Sequence, residues 1–301
     1  MFRPPFGAVG RTLARRWLCS SPLRPRLRYL HSQRNSWDTA GRRFSRDRRT
    51  YVMVMPACCV GLGLWYMKKI EERAAEKSAR PSKIDWVEAG VVSPVVRNQK
   101  GCGCCWAMAA VASVEAVHNL KTSQSISLSV QELIDCNFNI LNRGCQHGTS
   151  LLALWYIQKD GLSSESSYPY MARMSMSGCK KRKKPAARIS GFRLVYWTED
   201  ALEKAVAKQP VIVRLQGTTD LLNYKGGIMD YETLPEETKR HAVLIVGYGT
   251  DPDGVKYWRF KNSWGEGWGE GGFGRIRRHV ADKRGVLGIF MKPGLYPVLN
   301  I

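Results

Sequence analysis

Acidic residues are scarce in this chain, and the scarcity is uneven. Across 301 residues, 25 Asp and Glu face 47 Lys and Arg, a formal net charge of +22. Positions 1–80 hold 15 Arg and 3 Lys against 2 Asp and 3 Glu, a net +13, which leaves +9 for the whole of the chain beyond them. A basic protein is ordinarily read as a nucleic-acid binder, but this charge sits in a segment with the composition of an address rather than of a folded reading face, so no nucleic-acid partner is expected. Histidine is also scarce, at five in the whole chain. No paired His follows the crowded Cys102, Cys104 and Cys105, which excludes the usual tetrahedral zinc groupings; neither a metal nor an organic cofactor is expected. Internal repeats are missing, and with them any repeat architecture. Long apolar runs are missing but for the uncharged stretch Tyr51–Met67.

That stretch stands at the lower edge of the roughly 17 to 25 residues that span a bilayer. Arg42, Arg43, Arg46, Arg48 and Arg49 before it outweigh Lys68 and Lys69 after it, so as a signal anchor it would leave the rest of the chain in a lumen. The other reading is a surface helix broken at Pro56. Residues 1–50, rich in Arg and Ser and carrying Pro4, Pro5, Pro22 and Pro25, promise no packed core and resemble an organelle transit segment in composition. Residues 68–82 read as a charged, helix-prone linker that Arg80-Pro81-Ser82 ends.

The remaining chain has ordinary globular composition and enough length for a buried core. Up to about residue 190, helical spacing alternates with polar turns. Cys105–Leu120, Ser129–Cys136 and Ser150–Lys159 read as helices, the second opened by the capping box Ser129-Val-Gln-Glu132. Beyond it, Pro210–Leu215, His241–Tyr248 and Tyr257–Lys261 read as short strands between Gly-rich turns. A helical half followed by a β half suggests an α+β arrangement of two lobes with a cleft between them.

Six of the nine cysteines, Cys102, Cys104, Cys105, Cys136, Cys145 and Cys179, cluster in the helical half. By count alone they fit three disulfides, a metal site, or two disulfides and free thiols. Cys105 stands at the first position of a helix, where the helix terminus favours a thiolate, the reactive form of a thiol.

Three separated motifs then carry a resemblance: Gln99 with CGCCW, HAVLIVGYG from His241, and KNSWGEGWG containing Asn262. In these motifs and their order the chain resembles the papain and cathepsin family of cysteine proteases from about Lys83 to Pro297. His241 and Asn262 follow Cys105 at a distance close to that family's spacing of about 130 to 150 residues. The resemblance implies a two-lobed α+β fold, with a helical left lobe over 83–192 and a β-barrel-like right lobe over 193–301. It also implies a monomeric endopeptidase acting on polypeptides through a thioester.

In that reading Cys105 is the nucleophile, His241 its base and Asn262 the group that orients the imidazole. Gln99 and the Cys105 backbone N–H would form the oxyanion hole, and Trp264 and Trp268 would shield the His–Asn pair. The resemblance further implies disulfides Cys102–Cys145 and Cys136–Cys179; the family's third bridge has no Cys at either end here. Gly148 would offer backbone to the substrate. His147 adds bulk to the cleft wall as a surface residue or a second base, and Ala242 keeps the facing wall small. Arg214 occupies the pocket for the second substrate side chain, favouring an acidic or polar residue if its head group points in.

Some features depart from the family pattern. Cys104 replaces the small residue before the nucleophile and raises the prospect of oxidative inhibition. Lys180-Lys-Arg-Lys-Lys184 is a polyanion-binding run or a solvated loop. The segment ahead of Lys83 leaves no room for the family's inhibitory prodomain. The rival function is therefore a catalytically impaired homologue that binds peptides or polyanions. Disulfides favour an oxidising lumen, lysosome, vacuole or exterior; a mitochondrial address is the alternative.

Overall fold

The computed structural model describes residues 57–180, 184–235 and 239–300, with side chains from residue 64 onward. Helix α1, Ala57–Ser78, turns into an extended segment at Pro81. The transit-like segment 1–50 and positions 51–56 of the expected anchor lie outside the described residues. The remaining apolar part, Ala57–Met67, gives about 16 Å of helix at 1.5 Å per residue, half of a bilayer's apolar thickness. From Lys68 the same helix carries Lys69, Glu71, Glu72, Arg73 and Glu76. Among the described residues no helix is long and apolar enough to cross a membrane, so the expected span gains no support from them.

After the two-residue strand β1, Ile84–Asp85, come α2 (Cys105–Thr122), α3 (Val130–Cys136) and α4 (Ser150–Asp160). Each is bounded by local chemistry. Ser123 closes α2 in the left-handed conformation, its N–H on Asn119 O. Thr149 caps α4, accepting from the Leu151 N–H. Ser129 caps α3, accepting from the Glu132 N–H at 3.0 Å, but the reciprocal half of the expected capping box does not form. The Ser129 N–H goes instead to Ser163 O. The Glu132 carboxylate is buried and accepts from Tyr156 Oη at 3.0 Å and the Ser163 N–H at 2.7 Å, partners that satisfy a buried anion better than one backbone N–H would.

The β half follows: β2 (Gly191–Val195), α5 (Glu199–Val206), β3 (Val211–Gln216), α6 (Thr219–Asn223), β4 (Ile228–Met229), β5 (Arg240–Thr250), β6 (Lys256–Lys261), β7 (Phe273–Arg277) and β8 (Gly294–Val298). The strands form one sheet in the order β2-β8-β3-β5-β6-β7-β4, with β1 on β5, antiparallel throughout except β4 on β7. Among the described residues no pairing joins β2 to β4, so the sheet is not closed, consistent with the expected two-lobed α+β fold. The position expected to divide the lobes, between residues 192 and 193, falls inside β2.

Strand β5 explains how the halves meet. Its side chains alternate between faces with period two, and both faces are buried. Ala242, Leu244 and Val246 join the core made by α2, α3 and α4. Val243 and Ile245 join a second core with Val213, Leu215, Trp258, Phe260 and Ile276. A strand covered on both sides reads as a continuous apolar run, which is why HAVLIV contains no polar residue after His241. The start of α2 and the start of β5 are thereby held together.

Candidate active site

The loop ahead of α2 is tied down before the helix begins. Disulfides join Cys102 to Cys145 and Cys136 to Cys179, and the Gly103 N–H donates to Cys145 O at 2.7 Å. Gly148, on the far side of the same bridge, lies against the Trp106 indole so closely that a Cβ there would stand 2.4 Å from the ring. Cys105 is consequently fixed as the first residue of α2, where the leading N–H groups have no acceptor within the helix. Gln99 is anchored beside it: its Nε2 donates to Cys102 O at 2.9 Å and its Oε1 accepts from Ser263 Oγ at 2.6 Å. One of the two Nε2 hydrogens remains for another acceptor.

Across the junction, His241 is the second residue of β5. Its Nε2 lies 2.6 Å from Asn262 Oδ1, a contact in which the ring N–H donates and the amide oxygen accepts. Asn262 Oδ1 also accepts the Ser263 N–H at 2.8 Å, which assigns the oxygen and leaves the ring one partner choice. The Trp264 ring stacks on His241 with centroids 4.4 Å apart, and Trp268 meets Trp264 edge-on at 5.3 Å. Trp264 covers the imidazole directly. Trp268, whose Nε1 donates to Leu221 O at 3.0 Å, buttresses it from within the core.

Cys105 packs against the core cluster that contains Ala242, the residue after His241. Burial pushes this thiol up from its ordinary value, while the N–H groups of Ala242 and Trp106, the Arg214 cation and its own N–H pull it down. Burial likewise holds His241 down to about 4, opposed by the bond to Asn262. Each charge taken singly is therefore costly here.

The other expected site residues divide. Gly148 packs on Trp106, the residue after Cys105, and Ala242 lies in the core cluster against which Cys105 packs. Arg214 pairs with Ala242 in the β3–β5 register; its Nη2 donates to Thr149 Oγ1 at 2.7 Å, and its charge acts on the Cys105 thiol. The head group thus points inward. His147 is exposed on the loop beside Gly148, as a surface residue would be. Cys104 and Cys105 are both free thiols. Cys104 is fully buried, with Sγ 3.2 Å from Tyr170 Oη, and burial pushes its thiol up to about 11. Held there, it is a poor partner for the oxidative chemistry expected of a thiolate neighbour. Of the basic run, residues 181–183 lie outside the described residues.

Three supporting residues had no signal in the sequence. Ser263 fixes the Gln99 amide, Thr149 holds Arg214, and Tyr170 donates to Gln99 O at 2.8 Å while facing Cys104. Each acts through a hydroxyl brought from elsewhere in the chain, and only Ser263, inside KNSWG, lies within a motif.

Comparison with known proteins places this geometry. The family model described as papain family cysteine protease matches residues 80–292. The senescence-specific cysteine protease SAG39 of Oryza sativa is 43% identical over 222 residues, covering 73% of this chain and 64% of that protein. The senescence-specific cysteine protease SAG12 of Arabidopsis thaliana is 40% identical over 236 residues, covering 77% and 66%. The chain thus spans just under two-thirds of the length of these relatives. Among solved structures, the bromelain protease of Ananas comosus in complex with the E64 inhibitor is 36% identical, with a TM-score of 0.67 over 73% of this chain and all of that one. The match extends over both the helical half and the sheet that supplies His241, and on that ground the chain belongs to the papain family of cysteine proteases.

Proposed function

We propose that this chain is a cysteine endopeptidase in which Cys105, His241, Asn262 and Gln99 act as one unit. The observation that carries the reading is the His241–Asn262 bond of 2.6 Å on a strand whose next residue, Ala242, lies in the core cluster against which Cys105 packs. In the reaction the sulfur attacks the peptide carbonyl carbon as its proton passes to His241. The imidazolium gives that proton to the departing amine as the C–N bond breaks, leaving a thioester. Neutral His241 then takes a proton from water, which attacks the thioester and restores the thiol. The free Gln99 hydrogen and the Cys105 N–H face the oxygen that becomes negative, and Gly148 offers its backbone to the extended substrate. Nothing at the site favours the impaired, peptide-binding alternative.

In this reading the catalytic region comprises the lobes 83–192 and 193–301, works on polypeptides without metal or cofactor, and resides in an oxidising lumen. The two disulfides support that compartment.

The pH dependence of kcat/KM tests the unit. With His241 held near 4 by burial, the pair carries a second proton only below about that pH. One proton is then shared between sulfur and ring above it. Activity should therefore fall through an acid limb with its midpoint near pH 4, well below the ordinary imidazole value of about 6.5. In Asn262→Ala the bond that raises the His241 value is lost, and the limb should move to lower pH. An acid limb near 6.5, unmoved by Asn262→Ala, contradicts the role given to this pair.

A further inference from the structure

Five of the arginines drawn into this fold come with carboxylates. Arg80, Arg97, Arg259, Arg275 and Arg278 have side chains between 4% and 27% exposed, and each forms an ion pair with Asp or Glu. Arg214 does not. It is partly buried, and its guanidinium donates to the neutral Thr149 hydroxyl; among the described residues no carboxylate lies within ion-pair distance of it. Arg240 adds a further positive charge nearby, and burial pulls the Arg214 guanidinium below its ordinary range. Burying a cation without a counter-charge is costly, and Arg214 pays that cost at one place only, beside the nucleophile.

The position is specific. Arg214 stands opposite Ala242, which lies in the core cluster against which Cys105 packs, while Thr149 follows the Gly148 that packs on Trp106. A guanidinium is a planar fork of five N–H donors suited to both oxygens of a carboxylate, and the Thr149 hydroxyl occupies one donor nitrogen. The head group is therefore oriented by Thr149 with the rest of its fork uncommitted.

The geometry points to a substrate carboxylate as the missing partner: Arg214 selects peptides carrying Glu or Asp shortly before the scissile bond. This rests on the endopeptidase reading above. Apolar side chains would leave the cation desolvated and unpaired, and Lys or Arg would meet a like charge, so selectivity comes from rejection as well as attraction.

The test uses the full chain and a peptide series in which Glu and Gln are exchanged one position at a time over the four residues before the cleaved bond. At one position Glu should be preferred over Gln by about 10- to 100-fold in kcat/KM. Arg214→Met should abolish the preference, and Arg214→Glu should invert it toward Lys at the same position. The ratio within each variant cancels any general loss from altered folding or from the thiol's electrostatics. Equal cleavage of Glu and Gln peptides by the natural chain, or a preference that survives Arg214→Met, overturns the inference while leaving the endopeptidase reading intact. If no peptide is cleaved and a peptide epoxide fails to label Cys105, the endopeptidase reading falls. Equilibrium binding of the same Glu and Gln peptides to Cys105→Ser then decides the carboxylate claim, with equal affinities refuting it.

Discussion

Cys105→Ala hydrolyses peptides on the order of 10⁵- to 10⁶-fold more slowly than the natural chain, and His241→Ala does nearly the same. In the proposed mechanism the two losses are not additive, because sulfur and imidazole act as halves of one proton-transfer device: without the ring the thiol has no base, and without the sulfur the ring has no proton to take. The double variant should therefore be little slower than either single one. Cys104→Ser is the control within the same loop. Its thiol is buried against Tyr170, facing away from this exchange, and its rate should stay far above that of Cys105→Ala. Single-turnover and steady-state rates on one fluorogenic peptide measure all four. A double variant slowed by the product of the single losses would mean that the two residues act separately.

Gln99→Ala lowers kcat about 100- to 1000-fold with little change in KM, the pattern of an interaction made only when the carbonyl oxygen becomes an oxyanion. The side chain has no freedom to do otherwise. Its carbonyl end is held by Ser263 at 2.6 Å and its amide end by Cys102 O at 2.9 Å, and its backbone carbonyl by Tyr170 at 2.8 Å. Ser263→Ala removes one of these restraints and should show a smaller loss of kcat in the same direction. A rise in KM with kcat unchanged in Gln99→Ala would assign Gln99 to substrate binding and remove it from the oxyanion hole.

Local chemistry made α2, α3 and α4 legible, whereas α5 and α6, capped by Thr198 and Thr218 within the half read as β, were missed. Cys105 opens α2, and Ser129 and the polar turn at Thr149 open α3 and α4, since helix ends are set by a few neighbouring residues. The β5 run announced itself through unbroken apolar residues, because both of its faces are covered. Strands β2, β4, β7 and β8 were not legible. They are short and gain their partners from distant sequence, and Pro297 in β8 argues against a strand in any local reading. The same division holds at the site. Cys105, His241, Asn262 and Gln99, the residues proposed to act, sit in motifs whose order singles them out. Ser263, Thr149 and Tyr170 support them through single hydroxyls, which leave no pattern along the chain. Glu132 shows the limit of motif reading: its spacing from Ser129 fits a capping box, yet burial directs its carboxylate to Tyr156 and Ser163.

The whole account depends on the imidazole changing the acidity of one sulfur. The rate at which iodoacetamide alkylates Cys105, mapped to that residue by mass spectrometry and followed from pH 3 to 10, reads this directly. With His241 present, reactivity should already appear in the acid range, rising near pH 4; in His241→Ala it should appear only above the ordinary thiol value of about 8.5. A single rise above pH 8.5 in both proteins would show a solitary buried thiol, and would contradict the account.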